Sequence, residues 1–236
     1  MKLVAVVQAR MGSKRLPGKV MMKLDQERLL IDWVLQRVAR ASSPHVIVVA
    51  TTTLSEDNVL VEYIRDNYPK VRIFRGSQSN VLSRFAKINE LYPCDYILRV
   101  TADCPLVCDK LIDEMFNLIK VEKPNYVANC NFERIIKGFD LEFIASNAFT
   151  TIPYHELDSY ELEHVTPYFF STKARNKDIM NIKYPQTKYS SSLNLSIDSN
   201  FDLLFFRKIN KEFDLFNKDF YQIVTVIDKI HELQKQ

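Results

Sequence analysis

Leu3-Val4-Ala5-Val6-Val7 is a short, β-branched apolar run that empties directly into Gln8-Ala9-Arg10-Met11-Gly12-Ser13-Lys14-Arg15-Leu16-Pro17-Gly18-Lys19. A strand therefore opens into a basic, glycine-punctuated loop. Between residues 10 and 23 the chain places Arg10, Lys14, Arg15, Lys19 and Lys23 with no acidic residue among them, although its formal net charge is only +3. Positive charge gathered on one turn suits a polyphosphate: glycines let the backbone come close or take a positive φ, a proline stiffens the loop, and amide N–H groups line up toward phosphate oxygens. Only four glycines occur in the chain, well under the average of ~7%, and two of them lie in this loop.

Two familiar phosphate loops do not match. G-x-G-x-x-G is absent, and G-x-x-x-x-G-K-[ST] is only approached, since five residues separate Gly12 from Gly18 and Val20 stands where a metal-binding hydroxyl belongs. The loop reads as a nucleoside triphosphate cradle of another kind. A solvated basic turn is the alternative that charge runs usually represent.

At 236 residues and 47% apolar content the chain suits one large α/β domain. We expect a single domain over residues 1–236, with an acceptor-binding or dimerisation insertion around 130–195. The near-neutral balance argues against a nucleic-acid partner. The short apolar run after Lys2 is no signal-peptide core, and no stretch reaches the ~18 to 20 apolar residues of a membrane span, so a cytoplasmic protein without membrane attachment is expected. Cys94, Cys104, Cys108 and Cys130 include no C-x-x-C, and the histidines no H-x-x-x-H, so neither a zinc site nor a disulfide framework is indicated.

Leu30, Trp33, Val34, Val38 and Ala41 recur at helical spacing, and His45 to Ala50 then has the continuous apolar content of a buried parallel strand. Thr53 with Glu56 suggests a capping box for a helix through Tyr68, Val71 to Phe74 a strand, and Ser77 or Ser79 the cap of a helix to Leu91. Asp95 to Thr101 reads as the next strand, Asp109 opens a helix, and Tyr126 to Asn129 is another strand. Such alternation predicts a mostly parallel sheet with helices on both faces. Ligands then sit at the carboxyl ends of the strands. Asp103, in Arg99-Val100-Thr101-Ala102-Asp103-Cys104-Pro105, and Asp198, after an alternating segment from Ser192 and before a helix at about Phe201 to Ile209, both fall there. Each is also a candidate helix cap. Taken with the basic loop they suggest two carboxylates facing phosphates across a cleft, an arrangement that suits Mg²⁺.

Six segments, Q-A-R-M-G-S-K-R-L-P-G-K at the amino end, F-R-G-S-Q-S-N-V-L-S-R-F at 74–85, R-V-T-A-D-C-P-L at 99–106, G-F-D-L-E at 138–142, E-H-V-T-P-Y at 163–168 and L-S-I-D-S-N-F-D at 195–202, together resemble the SpsF-type cytidylyltransferase-like family, related to the synthetases of CMP-activated acidic sugars. The resemblance spans nearly the whole chain. It implies a Rossmann-like three-layer α/β/α nucleotidyltransferase fold, similar to the glycosyltransferase A type, that transfers CMP from CTP to an acceptor sugar with Mg²⁺ and releases pyrophosphate. By this resemblance the loop residues Ala9, Arg10, Met11, Gly12, Ser13, Arg15 and Lys19 hold the triphosphate, with Arg10, Lys19 and Asp103 catalytic. Arg75, Ser77 and Asn80 lie near the nucleotide, Arg84 serves nucleotide or structure, and Asp103 and Asp198 hold the metal. Asp140 and Glu142 face the acceptor, and His164 contacts acceptor or pyrophosphate, with a helix-capping or packing role for its segment as the alternative. A homodimer is implied, with the aromatic segment Tyr154 to Phe170 as interface or core.

The chain departs from the family pattern at Asn80, where aspartate is expected, and at Asp198-Ser199-Asn200-Phe201-Asp202, where D-x-P-E-D is usual. Two rival functions stand beside this one. A glycosyltransferase using a finished nucleotide-sugar shares the fold type, and a degenerate nucleotide-binding regulator would tolerate Asn80 and Asn200.

Overall fold

The first apolar run forms strand β1 (Leu3–Gln8), and its residues Leu3 to Val7 have no solvent exposure. They are buried because β1 pairs on both sides, in parallel, with β2 (Pro44–Thr52) and β4 (Tyr96–Thr101). The computed structural model describes residues 1–130, 135–171, 178–184, 189 and 192–235. Within these residues the sheet has seven strands in the order β3-β2-β1-β4-β6-β5-β7, completed by β3 (Arg72–Gly76), β5 (Tyr126–Ala128), β6 (Glu142–Ala145) and β7 (Ile179–Asn181). β6 runs antiparallel to both β4 and β5, and every other pairing is parallel.

Helix α1 (Leu30–Arg40) links β1 to β2, α2 (Asn58–Asn67) links β2 to β3, α3 (Val81–Leu91) links β3 to β4, and α4 (Asp109–Glu122) follows β4. The first two crossovers move outward in one direction, and the third returns to the far side of β1. The order reverses between β1 and β4, the switch point where open sheets of this type leave a ligand crevice. The loop after β1 and the turn after β4 both open there.

The remaining helices are α5 (Ser159–His164), α6 (Pro167–Phe170), α7 (Asn200–Phe213), α8 (Phe220–Val224) and α9 (Ile227–Gln234). Trp33 on α1 meets the edges of Phe206 on α7 and Phe216 beyond it, at 5.2 and 4.9 Å between ring centroids. Beside it the buried Arg37 guanidinium donates to the carbonyls of Val107, Leu215, Phe216 and Lys218. These contacts bind the chain after α7 to the first half of the sheet, which places residues 195–202 over the crevice.

Several local expectations change. Thr53 and Glu56 form no capping box, because Thr53 N–H continues the ladder to the Gly76 carbonyl and α2 starts only at Asn58, after a 3-10 turn over Ser55–Asp57. β3 begins at Arg72 and runs to Gly76, since its register on β2 pairs Val48 with Arg72 and Thr52 with Gly76. Neither Ser77 nor Ser79 caps α3; Asn80 does, its side chain accepting Ser83 N–H at 2.9 Å. The alternating segment from Ser192 forms no strand among the described residues, only a single bridge between Asn194 and Lys137.

Candidate active site

Gly18 sits in the left-handed region at φ 71°, which turns the basic loop into a short 3-10 helix over Lys19–Met21. The loop closes on one carbonyl: Met11 O accepts both Ser13 N–H and Gly18 N–H at 2.8 Å. This geometry aims Lys19 into the crevice. Its ammonium donates to Asp103 Oδ2 at 2.9 Å, Asp198 Oδ1 at 3.1 Å and the Ile197 carbonyl at 2.7 Å, so all three N–H groups are used.

The two carboxylates meet because the backbone sutures their segments. Ile197 N–H donates to the Asp103 carbonyl at 2.8 Å, and Leu195 N–H to the Lys137 carbonyl at 2.9 Å. The second approach is close enough to require glycine, for a Cβ at Gly138, which has φ 113°, would lie 2.9 Å from the Leu195 carbonyl carbon. Neither aspartate is a helix cap. α4 starts at Asp109, well past Asp103, and α7 is capped by Ser199, whose side chain pairs with Asp202 N–H while Asp202 accepts the Asp198 and Ser199 N–H groups. Asp202 thus supports the turn that presents Asp198.

Asp198 also pairs with Arg15 at 3.0 Å and Lys137 at 3.2 Å. Burial opposes its ionisation, but Lys19 and then Lys137 outweigh that and hold its carboxyl below the usual carboxylate range. Lys19, Asp103 and Asp198 line a cavity of about 340 Å³ together with Ala9, Arg10, Ser13, Lys14, Arg15 and His164. Arg10 reaches Glu163 across its mouth at 3.4 Å, and the His164 ring tilts against Tyr160. Val165, just beyond, is buried at φ 71° and ψ −57°, with Thr166 N–H bonded to the His164 carbonyl at 2.8 Å. That is a strained γ-turn on a β-branched residue, the kind of conformation that clusters at functional sites.

A second cavity of about 420 Å³ shares Arg99 and Thr101 with the first and is lined further by Lys137, Asp140, Glu142 and Asn194. Glu142 is locked at its wall, paired with Arg99 and accepting the Tyr126 hydroxyl at 2.6 Å. Asp140 has no ion-pair partner among the described residues; burial first, and then the Glu142 charge, push its carboxyl up to about 6. Two buried polar atoms in these walls, Gln8 Oε1 and Arg99 Nε, have no hydrogen-bond partner among the described residues. Such atoms suit a polar ligand.

The structure thus brings together Ala9, Arg10, Ser13, Arg15, Lys19, Asp103, Asp198 and His164 around one cavity, and Asp140 and Glu142 around the adjoining one. Met11 and Gly12 are not among the lining residues. Arg75, Ser77 and Asn80 are not among the lining residues, although Val81, next to Asn80, is; Arg75 donates to the carbonyls of Thr52 and Leu54, Ser77 Oγ accepts Asn80 N–H, and Asn80 caps α3. Arg84 is fully buried and donates to the Ala50 carbonyl. Sequence reasoning did not single out Lys137, whose only signal is its place before the G-F-D-L-E segment, or Arg99 and Thr101 as members of the walls.

The family model for cytidylyltransferases matches residues 4–235. The chain belongs to the cytidylyltransferase family. Spore coat polysaccharide biosynthesis protein SpsF of Bacillus subtilis is 31% identical over 206 residues, covering 85% of this chain and 82% of that one, in line with an SpsF-type cytidylyltransferase. A solved cytidylyltransferase from Leptospira borgpetersenii superposes with a TM-score of 0.88 at 28% identity, covering 100% of this chain and 98% of that one. A CMP:2-keto-3-deoxy-manno-octonic acid synthetase, solved as a complex with CTP, shares the nucleotidyltransferase fold at a TM-score of 0.63 and 14% identity, covering 90% of this chain and 99% of that one.

Proposed function

We propose that this cytidylyltransferase moves CMP from CTP to an acidic sugar used in surface polysaccharide or glycan synthesis, releasing pyrophosphate. One observation carries the reading: the cationic loop and the carboxylates Asp103 and Asp198 meet in a cavity that adjoins, through Arg99 and Thr101, a second cavity holding Asp140 and Glu142. A triphosphate fits the first and a hydroxylated acceptor the second, side by side. The CTP complex of the related synthetase and the polysaccharide role in the name of the Bacillus relative support the same assignment.

In the proposed reaction an acceptor oxygen attacks the α-phosphorus. A new oxygen–phosphorus bond forms, the bond to the β-phosphate oxygen breaks, and pyrophosphate leaves with the electron pair. Arg10 and Arg15 stabilise the charge that builds on phosphoryl and leaving-group oxygens, and Lys19, its N–H groups held by Asp103, Asp198 and the Ile197 carbonyl, adds its positive charge beside them; such preorganised electrostatics supply most of the acceleration in phosphoryl transfer. Asp140 is placed to take the acceptor proton, its raised affinity for protons making it a better base than an ordinary aspartate. Asp103 and Asp198 would hold Mg²⁺, whose charge, when bound, would help neutralise the phosphates. The donor set fits a hard cation, since both donors are carboxylate oxygens and one ammonium already spans them. Phosphate and water oxygens would complete such a shell.

We place the enzyme in the cytoplasm as a homodimer. In the aromatic segment Tyr168 and Phe169 are core, whereas Tyr154, Tyr160 and Phe170 are exposed and available for contact. Among the described residues no helix is long and apolar enough to cross a membrane.

The test is pyrophosphate release from CTP and Mg²⁺ across a panel of eight- and nine-carbon acidic sugars. Release with one of them, reduced roughly 10² to 10³-fold in a folded Asp103→Ala variant, is expected by analogy with other charge-stabilising sites. Unchanged release in that variant refutes the assignment of Asp103. Consumption of a nucleotide-sugar with no pyrophosphate from any triphosphate refutes the whole reading in favour of glycosyl transfer.

A further inference from the structure

Asp57 is a fully buried carboxylate that feels the charge of the buried Arg84 guanidinium but forms no direct ion pair among the described residues. It ends the 3-10 turn before α2, and its partners are three donors from two other segments. Oδ1 accepts Met11 N–H at 2.7 Å, while Oδ2 accepts Thr52 N–H at 3.1 Å and the Thr52 hydroxyl. Burying a carboxylate in a core is costly unless its hydrogen bonds are met. The bond that reaches farthest in sequence goes to the basic loop.

Met11 is the hub of that loop. Its carbonyl gathers Ser13 N–H and Gly18 N–H, so residues 11 to 18 form a closed ring whose orientation depends on where residue 11 is held. On the strand side, Ala9 N–H bonds the Ala50 carbonyl at 3.2 Å. Beyond that point, Asp57 alone among the described residues ties the Met11 amide to the end of β2, through a charge-assisted bond of the stronger kind. Thr52 in turn carries Arg75 on its carbonyl and Leu54 N–H on its hydroxyl, so the anchor is built into the rigid edge of the sheet.

The geometry points to Asp57 as the positioning residue of the phosphate-binding loop: it fixes the Met11 hub to β2 and so sets the loop amides and Lys19 for a triphosphate. Asp57 lies outside the cavity walls and acts only through the loop. This inference rests on the nucleotide reading above and assigns the residue that preorganises it. An asparagine in its place has one acceptor oxygen and one NH₂, so either Met11 N–H or Thr52 N–H meets a donor instead of an acceptor.

The experiment is titration calorimetry of CTP with Mg²⁺, and of inorganic tripolyphosphate, on wild type, Asp57→Asn, Asp57→Ala and Asp32→Asn. Asp32 is a matched control, a buried carboxylate that takes Leu29 N–H at 2.7 Å and the Tyr63 and Tyr68 hydroxyls away from the site. Asp57→Asn is expected to weaken both ligands by about tenfold or more, the scale of a lost hydrogen bond to a charged group, while Asp32→Asn loses thermal stability and keeps both affinities. Affinities kept within twofold of wild type both in Asp57→Asn and in Asp57→Ala, which leaves Met11 N–H no acceptor in any orientation, overturn this inference alone. Wild type that binds neither ligand overturns the nucleotide reading and this inference with it. Should Asp57→Asn not fold, amide hydrogen exchange of wild-type Met11 decides: slow exchange supports the anchor, and exchange at the rate of an open loop overturns it.

Discussion

Replacing Asp140 with asparagine is expected to make the protein more stable at neutral pH while removing its turnover. Its carboxyl is pushed from the ordinary 3.8 up to about 6. A raised carboxyl favours the protonated form in the folded state, so its contribution is present below about pH 4 and lost as pH rises through about 6. A shift of roughly two units corresponds to about 3 kcal/mol, and partial exposure reduces the penalty at pH 7 to about 1–2 kcal/mol. Chemical denaturation of wild type and Asp140→Asn at pH 4, 5, 6 and 7.5 measures it. The variant should gain about 1–2 kcal/mol at pH 7.5, about half of that near pH 5, and little at pH 4, with acceptor-dependent turnover reduced by at least 10². A variant no more stable than wild type at pH 7.5, or a gain independent of pH, refutes the account of Asp140 as a desolvated base.

Two other substitutions separate scaffold from site. Asn80→Asp introduces the acid that the family resemblance leads one to expect at this position, yet because residue 80 caps α3 the change should leave CTP affinity within twofold and stability within about 0.5 kcal/mol, aspartate and asparagine being equivalent caps; a large rise in affinity by calorimetry would show that residue 80 reaches the nucleotide. Arg37→Met strips the partner from four carbonyls, one just before α4 and three after α7, that Arg37 ties to α1 and should cost about 3 kcal/mol or more in denaturant unfolding, with wild-type CTP affinity in the folded fraction; a loss under 1 kcal/mol contradicts the clamp.

The α/β alternation and the cationic loop were legible because each is local: apolar runs, helical spacing and clustered charge lie within a few residues. Asp103 and Asp198 were both expected at strand ends, but only Asp103 follows a strand; what joins the two, Ile197 N–H on the Asp103 carbonyl, is a long-range bond with no local pattern. Capping was less readable. Ser77, Ser79 and Asn80 are all good caps within four positions, and the choice of Asn80 is made by where β3 ends against β2. Thr53 and Glu56 have the spacing of a capping box, but the ladder to Gly76 claims Thr53 first. Asp57 lies 46 residues from Met11 in sequence, and nothing near either residue announces the bond. The antiparallel strand β6 likewise depends on pairing between distant segments.

The central claim, that the crevice between β1 and β4 holds CTP with a divalent cation, is tested most directly by thermal unfolding with CTP, UTP, ATP and GTP, each with and without Mg²⁺. A ligand at about 100 times its dissociation constant adds roughly 2.7 kcal/mol, which for a chain of this size raises Tm by about 5–10 °C. The account expects a rise of that order with CTP and Mg²⁺, smaller without the metal and smaller with the other nucleotides. No shift with any triphosphate, together with a shift produced by a nucleotide-sugar, would contradict it.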